Sequence, residues 1–128
     1  GRVIGRVLQS MNLLSVKAFV VVTSDGSVTS PESDTAGGPW ASDRGSAGSA
    51  YMIGFDPKGA HEVKSFQVGQ FTAGQAADDS FITGGDAEKA AGAMFANYLA
   101  FNGMLSSFEA LLPRVFSAAE LDLVAKYT

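Results

Sequence analysis

"AAGAMFANYLAFNGMLSSF", residues 90–108, runs for nineteen residues without a charge. About twenty apolar residues cross a bilayer, so the length alone raises a membrane span. Asn97, Asn102, Gly103, Ser106 and Ser107 interrupt the run, and Asn102-Gly103 is a helix stop, because both residues tolerate the left-handed backbone. No membrane span is expected. The stretch reads instead as most of a helix over about 86–101, capped by Thr83 or Asp86 and broken at 102–105.

Met94, Phe95, Tyr98, Leu99 and Phe101 occupy more than one stripe of that helix. A helix apolar on nearly all sides needs cover on nearly all sides. The small residues Ala90, Gly92, Ala93 and Ala96 permit close approach by a neighbouring helix. Two arrangements satisfy this pattern, a core helix beneath a sheet or a helix shared with a second copy of the chain. The expectation is a homodimer whose interface candidates are Gly92, Phe95, Ala96, Tyr98, Leu99 and Phe101, with Trp40 as a further anchor. Trp40 follows "GGP" in a run of Gly, Ser, Ala and acid, where it either pins its own loop or fills a partner's pocket.

On the C-terminal side, "SSFE" (106–109) and "SAAE" (117–120) both have capping-box spacing, and Phe116 with Leu121 adds a hydrophobic staple to the second. On the N-terminal side, residues 3–14 place Ile4, Leu8 and Met11 at helical spacing, with Val7 and Leu14 widening the stripe. The unbroken apolar run 19–22, Phe followed by three β-branched valines, suits a strand covered on both faces. Asp25-Gly26 predicts a tight hairpin to a return strand at Ser27–Ser30, which stops at Pro31. Tyr51, Ile53 and Phe55 alternate as a strand, Asp56-Pro57-Lys58-Gly59 forms a turn, and a strand follows whose apolar phase slips between Val63 and Phe66. The fold class is therefore α+β. A small antiparallel sheet of about four strands, in two hairpins, packs against an N-terminal helix and two to three C-terminal helices.

The helix, strand, "SDG" turn and second strand of residues 3–30 resemble the start of profilin-like modules such as the Roadblock domains. Those modules place a helix after the second strand, where this chain has its Gly/Ser loop. The resemblance therefore implies no fold, residue role or function for the rest.

The 128 residues, 46% hydrophobic and 17% charged, are too apolar for disorder and suit one compact domain over 1–128. The last helix reaches Thr128 without a cap signal, so a longer natural chain is consistent with it. The low charge leaves less solvating surface than usual, which favours a chain that covers part of itself with a partner. The net charge of −4 opposes a phosphate-backbone binder, and Arg2, Arg6, Lys17 and Lys126 are the candidates for a local basic patch. There is no cysteine, which excludes disulfides and thiolate metal sites and fits a cytoplasmic setting or the interior of an intracellular assembly.

No constellation carries chemistry in an established spacing. His61, the sole histidine, suits either a general base or a surface strand position beside Glu62 and Lys64. Asp78-Asp79 and Asp86-Glu88 lack the alternating acids and glycine of a calcium loop. "GSAGS" and "TGGD" lack the Gly-Lys-Ser/Thr of a phosphate cradle. No catalytic residue, metal or cofactor is expected. The reading is a non-catalytic protein–protein interaction module, homodimeric, acting as an accessory or assembly factor in a larger complex such as a viral particle or secretion machine. The alternative is an enzyme or ligand-binding domain with its site between the sheet and loops 32–48 and 72–85, using Trp40, Arg44, His61 and Asp79. A weaker alternative is a nucleic-acid accessory role through the four basic residues.

Overall fold

A computed structural model of the chain describes residues 1–23, 27–29, 41–44, 50–59, 61–74 and 78–127. The element order is α1 (Arg2–Leu14), β1 (Ala18–Val22), β2 (Ser27–Thr29), β3 (Ala41–Arg44), β4 (Tyr51–Phe55), α2 (Ala87–Phe101), a 3₁₀ turn (Leu105–Ser107), α3 (Phe108–Leu111) and α4 (Ala118–Val124). The fold is α+β, with an N-terminal helix, antiparallel strand pairs and C-terminal helices.

The charge-free stretch forms the centre. Asp86 starts α2 in an extended conformation, and its carboxylate accepts the N–H of Lys89 at 3.0 Å. At the other end Gly103 takes a φ of 69°, donating to the Ala100 carbonyl while Met104 donates to that of Leu99. This Schellman arrangement satisfies carbonyls that a simple helix end leaves bare. Gly92, Ala93, Ala96, Leu99 and Phe101 are buried, and Ala93, Ala96 and Leu99 share one apolar core with Phe108, Phe116 and Val124. A Cβ on Gly92 would lie 2.8 Å from Val115 Cγ1, so the missing side chain admits the segment leading into α4. The close approach expected of the small residues is therefore made by the chain itself.

The second capping box forms in full. Ser117 Oγ accepts the Glu120 N–H, and Glu120 accepts the Ser117 N–H at 2.7 Å. The one expected at 106–109 does not form. The turn after Gly103 leads straight into the 3₁₀ segment, no side chain caps α3, and Glu109 accepts the Arg114 N–H instead.

One buried polar group locks α2 to the chain's end. The Asn97 side chain is fully buried, donates to the Ala93 and Val124 carbonyls at 2.8 and 2.9 Å, and accepts the Lys126 N–H at 2.8 Å. All its strong hydrogen-bonding atoms are engaged, which a buried amide requires. Beyond it, Lys126 accepts the Lys64 N–H, and Val63 bridges Tyr127.

The strand pairing differs from two consecutive hairpins. β1 pairs antiparallel with β4, Val20 facing Ile53 and Phe19 facing Gly54, while β2 pairs with β3. The second pair is thus nested within the connection between the first. Apolar AFVVV buries more surface against YMIGF than against the polar SVT that follows it, which local turn signals do not reveal. The expected turn residues Asp25-Gly26 lie outside the described residues. The strand expected after the 56–59 turn does not form as a continuous element: Val63 makes an isolated bridge to Tyr127, and past the apolar phase slip Phe66 turns outward, 98% exposed.

α1 occupies the expected span and ends on Ser15, whose φ of 54° permits Val16 to donate back to Met11. Ile4, Leu8 and Met11 are half-buried, yet no residue of α1 is buried.

Candidate functional site

The turn after β4 positions the most closely knit polar cluster among the described residues. Asp56 Oδ1 accepts the Lys58 N–H at 2.8 Å, which fixes the turn by a side-chain bridge. Asp56 Oδ2 accepts from Lys17 Nζ and from His61 Nε2, each at 3.0 Å. The Asp56 side chain is only 7% exposed. The Lys58 N–H first, then His61 and Lys17, hold its carboxyl down at about 2.

A carboxylate only accepts, so His61 Nε2 carries the shared proton and Nδ1 is left over. The imidazole lies against the Phe101 ring, with centroids 4.4 Å apart, and Lys17 Nζ sits 5.4 Å from the same ring centre. Tyr127 packs on Phe101 from another direction at 5.5 Å, and its hydroxyl oxygen accepts the Gly54 N–H at 2.9 Å.

A cavity of about 360 Å³ opens here, lined by Asp56, His61, Val63, Phe66 and Tyr127 together with Gly54, Phe55 and Gly59. Among the described residues its lining contains no serine or threonine, and the one amine close to His61 is that of Lys17, held on the same Asp56 oxygen. The arrangement orients an imidazole beside an open cavity.

Of the residues expected to build a ligand pocket, His61 lines this cavity and Asp79 does not. Trp40 lies outside the described residues, and of Arg44 only its backbone in β3 is described. Among the interface candidates, Gly92, Ala96, Leu99 and Phe101 are covered by the chain itself, while Phe95 is half-buried and Tyr98 is 41% exposed. Lys17 is taken out of any basic patch by its ion pair with Asp56, and Lys126 lies close enough to Asp122 to help hold that carboxyl low. Arg2 and Arg6 remain exposed on α1.

One acid of each pair is engaged locally: Asp78 accepts from the Ser80 N–H and hydroxyl and from the Gln70 side chain, and Asp86 caps α2. Among the described residues, no three acids or histidines gather as a metal cluster, and no helix is long and apolar enough to cross a membrane.

Sequence reasoning found the 56–59 turn and His61 but not Asp56, Phe66 or Tyr127 as cavity residues. The Asp-Pro-Lys-Gly turn followed two residues later by histidine was the available signal for the Asp56–His61 pair. Nothing local marks Tyr127, which arrives from the other end of the fold. No protein-family model, curated protein or solved structure matches the chain.

Proposed function

We propose that this chain is a non-catalytic protein–protein interaction module that pairs with a second copy of itself and serves as an accessory or assembly factor in a larger complex. The observation that carries this reading is α1. Val3, Val7 and Leu14 fall along one stripe of the helix and are 75%, 40% and 67% exposed, with Leu13 beside them at 78%. The surface that invites a partner is therefore the N-terminal helix rather than α2, whose small residues are already covered.

Charge favours a second copy as that partner. α1 carries Arg2 and Arg6 and no acid, so +2; the whole chain is −4, which leaves −6 on the remainder. A cationic apolar helix on an acidic body is complementary to another such body. Sedimentation over a range of concentrations tests the reading, with wild type compared to Val3→Ser/Leu14→Ser. A reversible dimer that the double substitution weakens is expected. A wild-type monomer throughout, or a dimer indifferent to both substitutions, overturns it.

A further inference from the structure

We propose that the cavity beside the Asp56 turn binds a small, neutral, planar molecule with a hydrogen-bond donor and acceptor on neighbouring atoms, as in an aromatic carboxamide or lactam. This goes beyond self-association and does not depend on it.

The charge of the ligand follows from Asp56. An anion would lie beside this carboxylate in the cavity wall. A cation would find most of the carboxylate's acceptor positions engaged by Lys58, Lys17 and His61, with the Lys17 charge adjacent to repel it. A neutral group meets neither penalty.

The polarity of the ligand follows from what the cluster leaves unused. With Nε2–H donated to Asp56, the unprotonated imidazole keeps Nδ1 as an acceptor outside that bond. The Tyr127 oxygen accepts from Gly54, a bond that leaves its own O–H proton to donate elsewhere. Both rings brace against Phe101, so the residues carrying this acceptor and this donor line one cavity on a shared support. An amide edge, with N–H beside C=O, answers both.

The flatness of the ligand follows from Phe66. This ring is 98% exposed at the cavity rim, where it contributes nothing to the core and presents a face for stacking. Gly59 meets no atom within 4 Å of a would-be Cβ, so the opening stays clear. A volume of about 360 Å³ lies within the usual range of small-molecule sites.

The test is an amide-detected NMR titration with benzamide, benzoate and benzylamine, run on wild type, Phe66→Ala and Tyr127→Phe. Benzamide is expected to give saturable shifts at Gly59, His61 and Phe66, with the charged analogues roughly tenfold weaker or worse. Phe66→Ala, an exposed position that cannot disturb the core, is expected to weaken benzamide several-fold, and Tyr127→Phe roughly tenfold. The proposal is overturned if benzamide gives no saturable shift, if benzoate or benzylamine binds as tightly, or if Phe66→Ala leaves the affinity unchanged. Repeating the titration on Val3→Ser/Leu14→Ser separates the result from self-association.

Discussion

The hydroxyl oxygen of Tyr127 accepts the backbone N–H of Gly54 at 2.9 Å, joining residues 73 apart in sequence. The strand pairing with β1 leaves this N–H on the outer edge of β4, and a side chain from the end of the chain satisfies it. The same ring packs on Phe19 and Phe101, so one residue closes the strand edge, the aromatic layer and the cavity wall.

This contact requires glycine at 54. A Cβ there would lie 2.8 Å from Phe101 and 2.9 Å from Tyr127, both ring atoms held by packing. Gly54→Ala is expected to destabilise the fold by about 1–3 kcal/mol through overpacking. Urea unfolding followed by Tyr fluorescence or circular dichroism reads the change. An unchanged midpoint would show that the rings shift freely.

Asn97 holds the C-terminal segment as a buried bracket. Replacing it by Leu keeps the volume but strands the Val124 carbonyl and the Lys126 N–H, and it removes the capped Ala93 carbonyl contact. A loss of about 2–4 kcal/mol is expected, from several unsatisfied backbone groups at once. Hydrogen exchange should accelerate first at Lys126 and Lys64, whose N–H groups this segment orders.

Helices were legible in the sequence because their signals are local. Asp86, Asn102-Gly103, Ser117 and Glu120 act within a turn of where they stand, and the structure uses each as a cap or stop. Strand partners were not legible, because β1 could pair with either neighbour, and the choice rests on apolar surface brought from residues 51–55. The fate of the small residues of α2 was open for the same reason. Their spacing admits a close neighbour without saying whose, and Val115 and Phe116 supply it from within the chain. At the site, His61 and its turn could be read from adjacent residues, whereas Tyr127 and Lys17 arrive from the two ends of the fold.

The capping box at Ser117 should be separable from the core beneath it. Ser117→Ala removes the acceptor for the Glu120 N–H but leaves Phe116 buried. A cost of about 1 kcal/mol is expected, typical of losing a serine N-cap. The loss should be recovered by Ser117→Asp, which restores an acceptor at the same place and suits the helix dipole. Chemical denaturation of the three proteins side by side decides this, and an Asp variant no better than Ala would show that the cap is not what Ser117 contributes.

Acid should unfold the protein through two independent carboxylates. Asp56 is held at about 2 against an ordinary 3.8, by the Lys58 N–H, His61 and Lys17. Glu120 is held at about 2 against 4.5, by the Ser117 N–H and hydroxyl and by Lys89. In both cases the folded state favours the ionised form, so the unfolded chain takes up its proton first as the pH falls. Their stabilisation is therefore complete above about pH 4.5 and is lost progressively down to about pH 2. The two share no partner, so Asp56→Asn and Glu120→Gln should each flatten this part of the stability–pH curve, and the double variant should flatten it by the combined amount. Thermal midpoints measured from pH 6 to 2 check the sign and the window. A wild-type curve that stays level across that window, or single variants as steep as wild type, would show that neither carboxylate couples its charge to folding.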